Sequence, residues 1–173
     1  DVSIPTPLSA NSPFCKEAWV RLNATDAGEC YYHPIFAQGG HSGDSDQIFG
    51  IVYADRPNPL RLRFYRGSAF GARIELTGPE VISRQQWAHC ALDYDGVTIR
   101  GYLNGVLQFS QVSASGWIAT PYPFRVGRGV VVTIWRGWVP RRSANCWRSA
   151  RRCTMSARSG FPMPSCSSRG ARS

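Results

Sequence analysis

Two dipeptides, Asp95-Gly96 and Asn104-Gly105, constrain the fold of this chain more than any other feature. Each lies between short apolar runs, and both tolerate the positive φ of the tight type I′ turns that join antiparallel strands. They predict three consecutive strands over 86–94, 98–103 and 106–111, joined as hairpins. Further period-2 or short apolar runs occur at 18–23, 34–38, 47–52, 60–65, 72–76 and 124–126. The breaks carry turn formers: Gly39-Gly40, Pro57-Asn58-Pro59 and Gly78-Pro79. No stretch of the first 129 residues sustains a helical period. Many short strands with regular turns imply an all-β sandwich or barrel.

Alternation assigns faces. In 60–65, Leu60, Leu62 and Phe64 share one face while Arg61, Arg63 and Tyr65 share the other. In 98–104, Ile99 and Leu103 oppose Arg100, Tyr102 and Asn104. The run from Trp87 to Leu92 is apolar on both faces, as in the centre of a stacked sheet. The expected core holds Trp19 or its strand neighbours, Phe36, Leu62, Cys90, Leu92, Ile99 and Leu103.

A chain of 173 residues fits one domain with an appendage. The net charge of +9 has to be located before it is used. All 11 acidic residues lie between Asp1 and Asp95, and 11 of the 20 basic ones lie between Lys16 and Arg128, so residues 1–129 sum to zero. The other nine, all Arg from Arg136 onward, carry the whole excess. This is a neutral domain followed by a basic tail: a lead-in over 1–13, an all-β domain over 14–136, and an Arg/Ser-rich irregular segment over 137–173. No window approaches the roughly 20 apolar residues of a membrane helix. The chain begins with Asp and shows no signal pattern, so a processed or excised segment is expected.

Six cysteines show no CxxC pair and no zinc-type spacing, and the pattern leaves redox compartment and disulfide state open. Cys90, inside an apolar strand, reads as a buried thiol. Asn23-Ala24-Thr25 is a glycosylation sequon that would mark a surface loop in a eukaryotic secreted protein.

Taken together, several segments resemble laminin-G-like jelly rolls of the concanavalin A-like superfamily. The stretch Gln86-Trp87-Ala88-His89-Cys90-Ala91-Leu92, then Tyr94-Asp95-Gly96, Ile99 and Tyr102-Leu103-Asn104-Gly105, looks like that family's central hairpin. Ala18-Trp19-Val20-Arg21-Leu22 looks like its first core strand, Ile35-Phe36-Ala37-Gln38-Gly39 like its second, and Phe124-Arg125-Val126-Gly127 like the strand after the hairpin. The resemblance covers roughly residues 14–129. It implies an all-β, antiparallel two-sheet jelly-roll sandwich with one concave face, and it fixes no ligand.

Beyond residue 129 the pattern fails. Family members continue with a strand reading approximately G-[FY]-x-D-E-V-R-I, whereas this chain is dominated by Ser, Arg, Cys, Trp, Gly and Pro with no acid. That composition is what GC-rich coding DNA gives in a wrong frame. Codons read from their second base allow the family string in register beneath the eight residues from Trp138 to Asn145. A frameshift is therefore the favoured account of the tail. The rival account is an evolved Arg-rich arm, with Trp135, Trp138 and Trp147 as stacking residues, that binds nucleic acid or another polyanion.

Candidate chemistry is sparse. Glycosidases of this broad fold need two carboxylates flanking the bond, often spaced on one strand as Glu-x-Asp-x-x-Glu. Glu75, Glu80, Asp93 and Asp95 do not form that pattern. No nucleophile elbow, zinc-protease motif or phosphate loop occurs, so a non-enzyme is expected. His89 reads as a structural histidine in the sheet, and Trp19 and Trp87 read as core. The Gly-rich loop 39–46 places Asp44 and Asp46 near a hydroxyl, oxygen ligands suited to calcium, the one cofactor the sequence points to. The concave-face candidates are Arg61, Arg63, Tyr65, Arg73, Arg100 and Tyr102, if their strands share a sheet. Arginine with aromatics suits hydroxyl, carboxylate or sulfate groups of glycans.

The resulting expectation is a noncatalytic recognition module, most plausibly for carbohydrate, on an extracellular or virion-associated protein. The rival is a structural, assembly or adhesion module, such as a capsid, tail or adhesin domain, with a protein ligand. Polyanion binding by the tail is a third reading. Oligomeric state is not legible.

Overall fold

A computed structural model describes residues 2–4, 13–22, 32–39, 46–53, 60–113, 116–118, 120, 122, 124–127, 132–136, 153–155 and 164–166. Among the described residues thirteen strands run in chain order: β1 (Val2–Ile4), β2 (Phe14–Leu22), β3 (Tyr32–Gly39), β4 (Asp46–Tyr53), β5 (Leu60–Arg66), β6 (Ile74–Val81), β7 (Trp87–Tyr94), β8 (Thr98–Leu103), β9 (Val106–Val112), β10 (Phe124–Val126), β11 (Val132–Arg136), β12 (Cys153–Met155) and β13 (Pro164–Cys166). A six-stranded sheet has the order β1-β10-β3-β4-β5-β6, and a five-stranded sheet the order β11-β2-β7-β8-β9. Every pairing in both is antiparallel. Of the sandwich or barrel that the strand pattern allows, this is the two-sheet sandwich that the family resemblance implies.

The two hairpin turns differ in build. Asn104 (φ 50°) and Gly105 (φ 80°) form the expected two-residue turn, with Leu103 opposite Val106. At Asp95-Gly96 the link between Tyr94 and Thr98 is three residues long, and the Asp95 carboxylate accepts the amides of Val97 (2.9 Å) and Thr98 (2.7 Å). The side chain, rather than a type I′ backbone, closes this turn. Those two amides, and Arg100 after them, hold the Asp95 carboxyl down to about 2. Gly78-Pro79, predicted as a break, is instead crossed by β6. That strand is an edge, where a missing N–H is tolerated, and a register shift opposite Arg61–Arg63 absorbs the extra residues.

Between the sheets lie Val20, Leu22, Phe36, Phe49, Ile51, Leu62, Phe64, Cys90, Leu92, Ile99 and Leu103, all buried. Burial pushes the Cys90 thiol up to about 12, as befits an inert core residue. Around Trp19 it is the neighbours, Ala18 and Val20, that enter the core, while Trp19 itself faces the other way. Trp117, 1% exposed, fills one end of the sandwich against Phe64 and Phe124.

Val2–Ile4, within the segment read as a lead-in, pairs with β10. Val132–Arg136 pairs with β2. Among the described residues of 137–173, β12 pairs with β13, Cys153 opposite Cys166. Cys15 is disulfide-bonded. Among the described residues no helix is long and apolar enough to cross a membrane.

Candidate ligand-binding face

The six residues singled out for a concave face do not come together. Arg61, Arg63 and Tyr65 lie on β5, with Arg73 just ahead of β6, in the six-stranded sheet; Arg100 and Tyr102 lie on β8 in the five-stranded sheet. Both groups alternate with core residues, so they face outward from opposite sides of the sandwich with the whole core between them. The condition that these strands share a sheet fails.

On the six-stranded side, Arg63 and Arg73 both bridge to Glu75, Arg73 at 2.9 Å, and the Arg73 guanidinium lies 5.4 Å from the Tyr65 ring centroid. This cluster is internally neutralised in part, and Arg63 is only 8% exposed. Asp46, proposed as a calcium ligand, starts β4 opposite Gly39. With Pro34, Ala37, Gln38, Gly39, Ile48 and Arg125 it lines a depression of about 50 Å³. Asp44 lies outside the described residues. No group of three or more potential metal ligands occurs among the described residues.

The five-stranded side is richer. Strand β2 reads Phe14, Lys16, Ala18, Val20, Leu22 inward and Cys15, Glu17, Trp19, Arg21 outward. Its register with β7 sets Trp19 beside His89, Glu17 beside Ala91 and Cys15 beside Asp93. The register of β7 with β8 continues the rows: Ala91 to Tyr102, Asp93 to Arg100. Ala91, between Glu17 and Tyr102, is itself only 1% exposed. Trp19 and His89 flank this row on one side and Asp93 with Arg100 on the other.

The polar groups are held in place. His89 Nε2 lies 3.4 Å from Glu17 Oε2, and the His89 and Trp19 ring centroids are 5.2 Å apart. Asn104 Oδ1 accepts the His89 amide at 2.9 Å, tying the hairpin turn to the row. Arg100 reaches Asp93 at 3.3 Å and Asp95 at 2.7 Å. Burial raises the Asp93 carboxyl above its ordinary range, with Arg100 opposing; burial, then Asp93, raises the Tyr102 phenol. The Asp95 hydrogen bond raises the Arg100 guanidinium further.

Of the sequence candidates, only Arg100 and Tyr102 belong to this face. Glu17, Trp19, His89 and Asp93 were missed as site residues, although the odd-even alternation of Glu17-Ala18-Trp19-Val20-Arg21-Leu22 carries the signal.

Residues 1–139 match the sequence profile of the family described as the concanavalin A-like lectin/glucanases superfamily. The chain belongs to that superfamily. Its laminin-G-like sandwich is similar to several solved structures. Domain 4 of AbnA, a GH43 extracellular arabinanase from Geobacillus stearothermophilus, in complex with arabinotriose, is 18% identical with a TM-score of 0.47. The alignment covers 73% of this chain and 60% of that one. The binding domain of Paraclostridial Mosquitocidal Protein 1 is 18% identical, TM-score 0.47, over 66% of this chain and 29% of that one. Trypanosoma rangeli sialidase is 17% identical, TM-score 0.46, over 72% and 20%. The concanavalin A-like chain thus spans less than two thirds of each of these structures. No curated protein sequence matches it.

Proposed function

We propose that this concanavalin A-like chain is a noncatalytic recognition module that binds carbohydrate on the outer face of β2, β7 and β8. One observation carries the reading. Two part-exposed aromatic residues, Trp19 and Tyr102, share one outer face with Glu17, His89, Asp93 and Arg100. A sugar ring offers an apolar face to aromatics and hydroxyls to such polar groups, and few other ligands need both at once. A shallow, open site with two aromatic contacts corresponds to an affinity in the millimolar to high-micromolar range, about −4 to −6 kcal/mol.

The way the carboxylates are engaged supports the noncatalytic part. Glycoside hydrolysis needs one carboxyl free to protonate the leaving oxygen and another to act on the opposite side. Here Glu17 is set against His89 and Asp93 against Arg100. The disulfide at Cys15 fits an oxidising compartment, in keeping with an extracellular or virion-associated protein.

The test is a glycan array followed by titration calorimetry on the full chain. Saturable binding should be lost in Trp19→Ala and Tyr102→Ala while the fold, followed by circular dichroism, is retained. Binding unaffected by both substitutions would remove this face from the proposal. Absence of any saturable glycan binding would replace it with the assembly-module reading. Release of reducing ends on incubation, abolished in Asp93→Asn, would show that the face is catalytic.

A further inference from the structure

The two part-exposed aromatics of the outer face stand too far apart to share one sugar ring. Trp19 lies on β2 and Tyr102 on β8, with β7 between them. In the register of these strands Trp19 stands beside His89, and Tyr102 beside Ala91, two residues further along β7. Two strand spacings of about 4.8 Å and two residues of about 3.3 Å give a diagonal of about 12 Å between their Cα atoms. The side chains keep to their separate rows. Trp19 leans toward His89, ring centroids 5.2 Å apart. The Tyr102 phenol, raised by burial and then by Asp93, lies in the field of Asp93, Arg100 and Asp95, on the side away from Trp19. A single sugar ring is much shorter than the gap.

Apolar exposure continues past Tyr102. Leu107 on β9 stands opposite Tyr102 in the β8–β9 register and is 50% exposed. Trp19, Tyr102 and Leu107 thus mark an apolar track that runs obliquely across four strands. The part-exposed Glu17 and Arg100 lie beside it, one on each flank of Tyr102, within reach of hydroxyl groups. β9 is the edge of the five-stranded sheet. Among the described residues the track therefore runs out at the sheet edge rather than into a closed pocket.

The geometry points to a linear oligosaccharide of three or more units, laid obliquely across β2, β7, β8 and β9 and held along its length rather than by a terminal residue. This rests on the carbohydrate reading above and adds to it the length of the ligand and the part of it that is recognised. Trp19 takes one unit, Tyr102 a unit two places further on, and Leu107 the chain beyond. No single unit reaches both aromatics, so their contributions combine only when one molecule is long enough to bridge them. A terminal-residue site would instead enclose one ring in a concave pocket with polar groups closing its end.

The experiment is a calorimetric titration of the full chain with a length series, monosaccharide to hexasaccharide, of a linear glycan that binds on the array. Affinity should rise roughly tenfold from the disaccharide to the trisaccharide, rise less with the fourth unit, and then level. Trp19→Ala or Tyr102→Ala should erase the gain from the third unit. Leu107→Ser, at an exposed position, should erase only the gain from the fourth. A hexasaccharide blocked by O-methylation of both terminal residues should bind as tightly as the unblocked one. A monosaccharide that binds within about twofold of the hexasaccharide, or loss of binding when either end is blocked, would overturn recognition along the chain while leaving the carbohydrate reading standing. A series in which nothing binds at any length would overturn the carbohydrate reading itself.

Discussion

Replacing Lys16 with Met should make the sandwich more stable, and the structure says by roughly how much. Lys16 occupies an inward position of β2 and is 6% exposed. Its Nζ lies 3.2 Å from the centroid of the Trp117 ring, 4.5 Å from that of Phe124 and 4.9 Å from that of Phe14. It has no hydrogen-bond partner. An unsatisfied buried polar group costs about 1–3 kcal/mol, more when charged. Against this, an ammonium desolvated over aromatic faces recovers about 2 kcal/mol. Burial pushes the amine well below its ordinary 10.5, so desolvation outweighs the ring attraction. Methionine keeps the unbranched reach and makes favourable sulfur contacts with the same rings. The expected gain at neutral pH is about 1–3 kcal/mol, which for a domain of this size is a rise in Tm of roughly 3–10 °C.

The pH dependence has a definite sign. The unfolded chain takes up the lysine proton near 10.5, and the folded chain takes it up only at lower pH. Stability from this residue is therefore greatest above 10.5, declines as pH falls from there toward the folded value, and is flat below it. Urea unfolding at a series of pH values between neutrality and 10.5 should show a rise with pH in the native chain, and Lys16→Met should flatten it. A variant that is destabilised by more than about 1 kcal/mol, with the slope unchanged, would refute the reasoning. It would show that the aromatic box holds a charged amine at a net gain.

Asp95 gives the opposite case: its carboxyl is held at about 2 against an ordinary 3.8, so the stability it lends is complete above 3.8 and is lost as pH falls through about 2. Asp95→Asn should weaken that part of the acid transition, and identical acid titrations of the two proteins would count against the side-chain turn. Gly101 faces the Phe109 ring so closely that an added Cβ would clash with it; Gly101→Ala should cost about 1–3 kcal/mol, and Phe109→Leu in the same chain should recover part of it, as thermal melts of the double-mutant cycle would show. If the loop ending in Asp46 is a calcium rim, millimolar calcium should raise Tm in the native chain and not in Asp44→Ala/Asp46→Ala, and an unchanged Tm removes the site. Truncation after Arg136 removes eight of the nine tail arginines and should abolish salt-dependent retention on a heparin column; undiminished retention would place polyanion binding on the sandwich instead.

How much of this was legible depended on distance along the chain. The hairpins of β7, β8 and β9 could be read because their turn residues and alternation are local, and the burial of Cys90, Leu92, Ile99 and Leu103 follows from them. The partition of strands between sheets could not, because β5 and β8 alternate in the same way and nothing in either says which sheet it joins. That is why Arg61, Arg63, Tyr65 and Arg73 were grouped with Arg100 and Tyr102. The outward row of β2 and β7 was missed for a related reason. Glu17, Trp19, His89 and Asp93 meet only through the β2–β7 register, between segments some 70 residues apart, and Lys16 at an inward position obscured the alternation of β2.

The interior of the six-stranded sheet shows what a local pattern can conceal. Its inward rows include Gln38 on β3, Gln47 on β4 and Arg66 on β5, cross-strand neighbours that are all 2% exposed or less. Read from the sequence, three polar groups facing a core would argue against the strand assignment. The chain beyond β9 resolves the conflict. Gln38 donates to the carbonyl of Tyr122 at 2.8 Å and accepts from Trp117 Nε1 at 2.8 Å. Gln47 accepts the Ile118 amide at 2.8 Å and donates to its carbonyl at 2.6 Å, and Arg66 donates to Gly116 at 3.1 Å. A segment without strand partners thus has its backbone groups satisfied by side chains and can bury Trp117 in the end of the sandwich. The arrangement seals the core under Lys16 and leaves the outward rows of β2, β7 and β8 on a rigid support. Side chains on those rows are held in fixed positions more firmly than on a loop, as the proposed carbohydrate site requires.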